Sequence, residues 1–562
     1  MDYRLELAEL LSKQLVMDSV EVVSMVEEPA DFRMGHFAYP CFRLAKIMRK
    51  APPAIATELC ENINENKPKW LDRAVAVGGY INFFLTKELF AQHILTNITE
   101  NYGSSNIGIG QTVLVEYSSP NIAKHFHVGH LGTTAIGHAL FNIYKYLGYE
   151  TVGINYLGDW GTSFAKLLTA YLKWGDKAKI EETGLDGLTE LYVRFHNESE
   201  NNPKLEEEAR EWVVKMENGD EESLEIWRWL CAISMREYEK VYTRLGITFD
   251  SYRGESYYNG KMDSVLDSLK EKGLLKESSG AMVVDLEEYK MPPALVLRGD
   301  GGTLYATRDM AAAIDRYDTY KFNKSLYVTA NEQKLHFAQF FKVLELAGNA
   351  WATDMVHVPY GLFIFESGKM STRKGQVIKL AELLDDAVRQ ILEIINEKNP
   401  DLENKEEVAE QIGVGAVVFN EMYNSRVKDV LFSWERMLNF EGETGPYVQY
   451  THARACSLLE KGSTVAFADI DYSILADDAA FEVLRLLYAF PSKVQEAAEK
   501  YEPFIISRFL VALSQTFNKY YNSQQILTGD SSEKSRLALV SATRTTLENG
   551  LNLLGIAAPR KM

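Results

Sequence analysis

Apolar residues near the N-terminus recur at helical spacing, as in LELAELL and in the run that begins at Pro52-Pro53. The pattern then alternates in two strand-like runs, 73–77 and 80–85, which Gly78-Gly79 joins as a tight hairpin turn. Residues 1–110 are therefore predicted to form an α+β domain that ends in the flexible segment YGSSNIGIG.

Strand-like and helical runs alternate from residue 113 onward. The apolar run 113–117 predicts a buried strand, and 135–146 predicts the helix after it. A second strand-like run, 151–156, precedes another helix, for which Thr162 or Ser163 is the expected N-cap. This alternation predicts a doubly wound, Rossmann-like α/β domain with a parallel sheet.

Charged residues at helical spacing interrupt the alternation from about 181 to 276. Runs such as KLEEEAREWVVKMENGDEESLEIWRWL are typical of amphipathic helices with solvated faces. Strand-like runs return at 281–286 and 325–329, so the helical stretch is predicted to be an insertion within one nucleotide-binding domain, 111–390. Residues 391–562 keep helical spacing and predict an all-α bundle.

Composition narrows the class of this multidomain protein of 562 residues. A net charge of −19 argues against general nucleic-acid affinity, so an RNA partner would need local basic patches. The four cysteines lack C-x-x-C spacing, which indicates neither a zinc site nor a disulfide framework and fits a reducing cytoplasm. The N-terminal residues include acids and no long apolar run, so we expect neither a secretory signal nor a membrane span.

The segment after the strand at 113–117, SSPNIAKHFHVGHLGTT, concentrates side chains that suit a nucleotide site. Gly129 lets the backbone approach a ligand, and the N-terminus of the following helix attracts phosphate. His127 and His130 flank this glycine and could donate hydrogen bonds to phosphate oxygens. An isolated H-x-x-H also fits local polar contacts or a metal, but its place between a strand and a helix favours the nucleotide.

The run His127-Val128-Gly129-His130 resembles the HIGH motif of class I aminoacyl-tRNA synthetases, and the adjacent SSPNIAK narrows the resemblance to arginyl-tRNA synthetases. A second stretch, FESGKMSTRKGQVI, resembles the KMSKS loop of the same class. Thr372 stands where KMSKS has its second lysine, and the resemblance offers Lys124 as the compensating charge. Arg373 and Lys374 are rival candidates.

The resemblance implies that ATP activates L-arginine as an adenylate, which is then transferred to tRNA(Arg). Mg²⁺ would accompany ATP as co-substrate, with no tightly bound cofactor and no protein-held metal. The implied catalytic donors are His127, His130, Lys124, Lys369 and Lys374. The implied ATP-binding residues are His127, Gly129, His130, Lys369, Met370 and Ser371.

A pocket that selects arginine needs carboxylate and amide acceptors, because the guanidinium is a charged, planar fork of donors. The resemblance implies six arginine-binding residues: Glu116, Ser118, Asn121, Tyr305, Asp309 and Gln333. For Tyr305 and Asp309, a packed ring and a helix-terminal carboxylate remain the alternative. The turn in NYLGDWGT is also predicted to border the site, with turn chemistry as the role of Asp159.

The flanking domains also resemble parts of the arginyl enzymes, which implies contacts with tRNA. GGYINFFL resembles the RNA-facing strand of the N-terminal appended domain, with Tyr80 and Asn82 as candidate nucleotide readers. GETGPYVQYTHAR resembles the anticodon-binding bundle, with Tyr447 and Tyr450 as candidates. Ordinary packing is an alternative for each of these residues, and we expect a cytoplasmic monomer without membrane contact.

Two other functions stay open on sequence alone. A metabolic ligase with a nucleotidyl-transferase fold could use the same histidines and lysines without RNA, but it would have little use for the flanking domains. A tRNA-binding paralogue that had lost catalysis would keep those domains, and Thr372 is the feature that points to it.

Overall fold

The computed structural model describes residues 1–15, 17–29, 31–297, 305–364, 378–465 and 469–562. The chain divides into two compact units. Unit 1 comprises 1–102, 455–489 and 515–545, and unit 2 comprises 103–454, 490–514 and 546–562. The C-terminal third of the chain therefore contributes to both units.

The secondary structure is predominantly helical. The strands are β1 (Phe37–Pro40), β2 (Leu71–Val77), β3 (Tyr80–Leu85), β4 (Thr112–Glu116), β5 (Glu150–Ile154), β6 (Leu275–Ser278), β7 (Ala281–Val284), β8 (Ala294–Leu297), β9 (Lys324–Ala330), β10 (Met355–Tyr360), β11 (Phe363–Ile364) and β12 (Val430–Leu431). The helices are α1 (Tyr3–Ser12), α2 (Ser19–Val23), α3 (Leu44–Met48), α4 (Pro52–Glu65), α5 (Lys87–Asn97), α6 (Leu131–Tyr146), α7 (Thr162–Trp174), α8 (Lys177–Thr183), α9 (Leu185–Ser199), α10 (Lys204–Glu217), α11 (Glu221–Leu245), α12 (Met262–Glu271), α13 (Tyr305–Tyr320), α14 (Lys334–Leu346), α15 (Leu380–Lys398), α16 (Lys405–Met422), α17 (Trp434–Met437), α18 (Gly445–Lys461), α19 (Asp478–Lys500), α20 (Phe504–Ser523) and α21 (Ser531–Leu553).

A parallel sheet with the strand order β10-β9-β4-β5 forms the centre of unit 2. Its middle strands are buried on both faces, as the apolar runs predicted. The sheet confirms the predicted doubly wound α/β class. Because β4 and β9 are neighbours in parallel register, their carboxyl ends meet at one edge, where such sheets bind ligands.

The connection from β4 to α6 is sharply bent. Ser118 and Ser119 have φ angles of 68° and 47°, a left-handed conformation that ends the strand. α6 packs closely over β4, because a Cβ at Gly137 would lie 2.1 Å from the Cβ of Tyr117. The helix begins at Leu131, before the apolar run that predicted it, so its N-terminus directly follows His130.

The predicted cap of α7 is wrong. Gly161 occupies the N-cap position, and neither Thr162 nor Ser163 makes the capping hydrogen bond. Gly161 has a φ of 93°, which residues with a side chain rarely adopt, so the turn requires glycine at the position where a capping hydroxyl was expected.

The inserted region contains helices α8 to α12, as its charge pattern predicted. The strand-like run at 281–286 does not join the parallel sheet. It forms β7 in a separate antiparallel sheet of order β6-β7-β8. Val284 and Val296 of this small sheet pack into one apolar core with α12, α13 and α14.

Unit 1 contains the predicted hairpin. β2 and β3 pair antiparallel around Gly78-Gly79, and β1 extends the sheet to the order β1-β3-β2. α4 begins with the two prolines in its first turn, as predicted. The α+β class of the N-terminal region is therefore confirmed.

The C-terminal part is helical from α15 to α21, apart from the short strand β12, which pairs with β11. This confirms the predicted class of the C-terminal region. Among the described helices, none is both long and apolar enough to cross a membrane.

Candidate active site

A cavity of about 550 Å³ lies at the carboxyl ends of β4 and β9. Its lining includes the six predicted arginine-binding residues and one predicted histidine: Glu116, Ser118, Asn121, Tyr305, Asp309, Gln333 and His130. Segments far apart in sequence thus meet in one cavity, because each follows a strand or begins a helix at the same edge of the sheet.

The two histidine rings of the H-x-G-H turn are in contact, with their centroids 3.9 Å apart and their planes tilted by 34°. Nδ1 of His127 accepts a hydrogen bond from the backbone of Gly129, and Nδ1 of His130 accepts one from the backbone of His127, both at 3.1 Å. Burial lowers the pKa of His127 to about 4 and that of His130 to about 3, so both rings are neutral near pH 7. A neutral imidazole whose Nδ1 accepts keeps its proton on Nε2, which leaves one donor on each ring.

Lys124 is exposed on the segment leading into this turn, and its backbone is tightly held. The hydroxyl of Tyr238 lies 2.8 Å from the carbonyl oxygen of Asn121 and 2.7 Å from that of Lys124. The backbone N–H of Ala123 donates to the Ser234 hydroxyl. Helix α11 of the insertion therefore fixes the approach to the histidines.

The residues immediately after the KMSKS-like stretch pair with the H-x-G-H turn. The N–H of Val128 donates to the carbonyl of Ile378 at 3.1 Å, and the N–H of Leu380 donates to that of Phe126 at 2.9 Å. The predicted ATP-contacting residues of that stretch lie outside the described residues: Lys369, Met370, Ser371 and Lys374, together with Thr372 and Arg373. The described residues Ile378 and Leu380 thus lie against the H-x-G-H turn.

Two carboxylates, Asp309 and Glu255, line the cavity and define its acidic end. Asp309, in the first turns of α13, lies 2.7 Å from Nε2 of His336. Glu255 lies 3.1 Å from the guanidinium of Arg308. Burial raises the pKa of Glu255 to about 7, and the charge of Asp309 adds to this rise while Arg308 opposes it. The ring of Tyr305 borders the same end and is largely exposed.

Glu116 forms a buried ion pair with Arg316 across the floor of the cavity. One Arg316 nitrogen lies 2.5 Å from the Glu116 carboxylate, and the side chains are 4% and 7% exposed. The Arg316 guanidinium also lies over the ring of Tyr156, 5.0 Å from its centroid. Glu116 was predicted as an arginine ligand, and the structure shows that a resident arginine already binds its carboxylate.

The remaining predicted pocket residues lie on turns that follow β4 and β9. Ser118 Oγ lies 2.8 Å from the hydroxyl of Tyr242, and this contact is buried. The Ser118 side chain therefore has a structural partner within the protein. Asn121 and Gln333 are exposed at the rim of the cavity, where their amide groups are open to a ligand.

Sequence reasoning missed Glu255 and Arg316. Arg316 follows Asp309 by two helical turns on the same face of α13, so its spacing could have identified it. Glu255 stands among many acids of the insertion, and its local pattern carries no such signal.

The predicted tRNA-contacting residues lie outside this cavity. In unit 1, Tyr80 is 37% exposed, whereas Asn82 is 5% exposed beneath Gly35, which favours the packing alternative for Asn82. In unit 2, Tyr450 is 39% exposed and stacks with Arg454, while Tyr447 is half-buried.

Acidic residues are common in the insertion, yet the described ranges contain no group of three or more His, Cys, Asp or Glu side chains that could hold a metal ion.

Three family models match the chain. The model of the class I (R) tRNA synthetase catalytic domain matches residues 92–434, the DALR anticodon binding domain matches 448–562, and the arginyl tRNA synthetase N terminal domain matches 2–85.

Full-length relatives agree with these models. An arginine–tRNA ligase of Halothermothrix orenii is 51% identical and one of Clostridioides difficile is 50% identical, each over the whole of both chains. The solved arginyl-tRNA synthetase of Thermus thermophilus is 29% identical, with a TM-score of 0.82 and full coverage of both chains. That of Plasmodium falciparum is 25% identical, with a TM-score of 0.81 and coverage of 100% and 98%. The chain belongs to the arginyl-tRNA synthetase family of class I aminoacyl-tRNA synthetases.

Proposed function

We propose that this protein is an arginine–tRNA ligase, which activates L-arginine with ATP and transfers it to tRNA(Arg). The observation that carries this proposal is one cavity lined both by the carboxylates Asp309 and Glu255 and by His130 of the H-x-G-H turn. We propose that a cationic side chain and a nucleotide phosphate are bound in it at the same time, next to the reacting carboxylate.

The acidic end is suited to the substrate guanidinium. Asp309 and Glu255 offer carboxylate acceptors to its planar fork of donors, and such charge-assisted bonds are strong and geometrically selective. Tyr305 borders this end and adds an aromatic face. A substrate without these donors would make no such bonds to the two partly buried carboxylates, which would keep only His336 and Arg308 as partners.

The middle of the cavity would hold the α-amino group and the reacting carboxylate. Asn121 and Gln333 present amide oxygens at the rim, and Glu116 adds negative charge on the floor. Because Arg316 binds Glu116 directly, we assign Glu116 a mainly electrostatic and positioning role. Ser118 shapes the loop through its bond to Tyr242.

The H-x-G-H end would bind ATP. The Nε2–H groups of His127 and His130 and the N-terminus of α6 donate to phosphate oxygens, with Gly129 permitting close approach. From sequence we add Lys369, Met370, Ser371 and Lys374 to this set, and Lys124 as the charge that compensates for Thr372. Mg²⁺ would enter with ATP, since it is commonly held by phosphates and few protein groups.

The reaction needs no covalent enzyme intermediate. The arginine carboxylate attacks the α-phosphate and pyrophosphate leaves, which gives arginyl-adenylate. A ribose hydroxyl of tRNA then attacks the arginyl carbonyl, and AMP leaves. Positioning and stabilisation of the phosphate charge account for catalysis of this kind. Neutral histidines fit this role, because the Nε2–H group of each ring is available to donate a hydrogen bond.

The flanking regions fit an RNA substrate. We propose 1–110 as an appended tRNA-binding domain, 111–390 as the catalytic domain and 391–562 as the anticodon-binding domain. Exposed Tyr80 and Tyr450 are the better candidates for base stacking, with Asn82 and Tyr447 secondary. We further propose a monomer in the cytoplasm; the scattered cysteines, which lack C-x-x-C spacing, support a reducing compartment.

The test is arginine-dependent exchange of pyrophosphate into ATP, measured with and without tRNA, on the wild type and on Asp309→Asn. We expect exchange with arginine, and in the variant a loss of arginine use without a loss of ATP affinity. Asp318→Asn, an exposed acid on the same helix, is the matched control. Exchange with a different amino acid would indicate another ligase, and binding of tRNA without exchange would indicate a catalytically inactive paralogue.

A further inference from the structure

The Asp159 carboxylate is buried and accepts two hydrogen bonds from Ser256. One oxygen accepts from the backbone N–H of Ser256 at 2.8 Å, and the other accepts from its hydroxyl at 2.6 Å. Asp159 itself is 6% exposed. Ser256 directly follows Glu255, so this two-point contact acts on the backbone that carries the pocket carboxylate.

The backbone beside Asp159 holds the same segment. The N–H of Glu255 donates to the carbonyl of Leu157 at 2.9 Å. A Cβ at Gly254 would lie 2.7 Å from both this carbonyl and an Asp159 carboxylate oxygen, so only glycine permits the approach. Residues on both sides of Glu255 are thereby fixed against the turn 157–159.

The opposite side of that turn contacts the other wall of the cavity. The N–H of Gly158 donates to Pro120, and the N–H of Ile122 donates to the carbonyl of Gly158, both at 3.1 Å. A Cβ at Gly158 would lie 2.0 Å from Oδ1 of Asn121. One short turn therefore sets the separation between the wall with Asn121 and the wall with Glu255.

The inserted helix α11 supports the turn from behind. Nε1 of Trp227 donates to the backbone carbonyl of Asp159 at 2.7 Å, and its ring meets that of Trp160 edge to face. The turn is thus held by contacts on three sides, which limits its movement when the carboxylate of Asp159 is altered.

We propose that Asp159 is a positioning residue for arginine selection, which acts through Ser256 to hold the Glu255 carboxylate opposite Asp309. This inference rests on the proposed role of Glu255 in binding the guanidinium. Asp159 does not touch the substrate; it sets the place of an acceptor that does. The alternative is an acid that only stabilises a turn.

Asp159→Asn tests the proposal, because it keeps the shape of the side chain while replacing one of the two accepting oxygens with an NH₂ group. We expect the KM for arginine to rise about tenfold, the size of one lost charge-assisted hydrogen bond, with the KM for ATP changed less than twofold. Ser256→Ala, which removes one of the two bonds, should shift the KM for arginine in the same direction by less.

Asp250→Asn is the matched control. Asp250 accepts a hydrogen bond from the backbone N–H of Gly153 in β5 at 2.8 Å. Its partner is therefore the backbone of the parallel sheet. Asp250→Asn should lower thermal stability without a selective change in the KM for arginine. An equal and selective rise in this control would overturn the proposal.

The decisive measurement is a double-mutant cycle with Glu255→Gln. If Asp159 acts through Glu255, Asp159→Asn should add little to the KM for arginine once Glu255 is glutamine. Fully additive effects, or equal rises in the KM values for ATP and arginine, would refute the positioning role. If Asp159→Asn does not fold, the cycle is run with Ser256→Ala.

The same experiment separates failure of this inference from failure of the proposed function. A wild type without arginine-dependent exchange would refute the function. Normal exchange with an unchanged KM for arginine in Glu255→Gln would refute the role of Glu255 and, with it, the role of Asp159. A clear effect of Glu255→Gln combined with none of Asp159→Asn or Ser256→Ala would refute the inference alone.

Discussion

Arginine binding should strengthen as the pH rises from 6 to 8, and Glu255 is the reason. Burial raises the pKa of this carboxyl from 4.5 to about 7, so at pH 6 most of the free protein carries a neutral Glu255. A carboxylic acid is a poor partner for a guanidinium, and arginine must therefore bind the deprotonated fraction. Lowering the pH below 7 reduces that fraction and weakens binding.

The size of the effect follows from the fraction of the protein in which Glu255 is deprotonated and can bind arginine. With a pKa of 7, the apparent Kd is multiplied by about 11 at pH 6 and by about 1.1 at pH 8, which gives a tenfold change overall. The substrate guanidinium stays charged across this range. His127 and His130, with pKa values of about 4 and 3, do not titrate in it, so the nucleotide end contributes nothing to the change.

Calorimetric titration with arginine at pH 6, 7 and 8 measures both the affinity and the proton release. In two buffers of different ionisation enthalpy, binding should release about 0.9 proton at pH 6 and about 0.1 at pH 8. Glu255→Gln should bind more weakly at pH 8 and show a flat profile. His336→Gln is the matched control, because it removes the side chain that contacts Asp309 and leaves Glu255 in place.

The reasoning fails if the wild-type affinity changes less than twofold between pH 6 and 8, or if Glu255→Gln keeps the tenfold change. The stability of the ligand-free protein should follow the opposite course. Its folded state retains the Glu255 proton between pH 4.5 and 7, so stability falls by up to ~3 kcal/mol as the pH rises through that window.

Three further predictions concern the rest of the cavity. His127→Ala and His130→Ala should each lower the rate of adenylate formation by roughly 10²-fold, the scale of one lost oriented donor, with folding retained; near-normal exchange in both would remove them from the chemistry. Lys124→Ala should lower the single-turnover rate of adenylate formation more than Arg373→Ala does, because Tyr238 holds the backbone of Lys124 in place. The reverse order would refute the proposal that Lys124 compensates for Thr372. Citrulline, the neutral isostere of arginine, should be rejected by about 10⁴-fold in the wild type, and Asp309→Asn should weaken arginine use by about 3–5 kcal/mol. An unchanged preference for arginine over citrulline in that variant would show that Asp309 does not select the substrate.

Local patterns predicted the elements that carry the site. The apolar strand at 113–117 and the helix after it both follow from the periodicity of side chains and from turn residues. Their meeting at one sheet edge follows from the parallel topology that strand-helix alternation implies. The arginine-binding residues themselves were predicted from the resemblance to arginyl-tRNA synthetases, and not from periodicity.

Contacts between distant segments were not predictable in the same way. Glu255 reaches the cavity because its neighbours bond to the turn at Leu157 and Asp159, and nothing in the residues around Glu255 encodes that partner. The pairing of Glu116 with Arg316 likewise joins a strand end to a helix. The cap of α7 failed for a local reason, since a backbone conformation restricted to glycine displaced the expected hydroxyl.

The resident arginine on the cavity floor constrains how substrate specificity can evolve. Arg316 and Glu116 are both almost fully buried, so replacing either one alone would strand a charge at a cost of about 3–5 kcal/mol. A library of single substitutions at residues 116 and 316 would therefore lose folded protein before it yielded a variant that accepts an amino acid with a neutral side chain. Routes to new amino acids should pass through paired substitutions at 116 and 316, which makes the outcome at one position depend on the residue at the other.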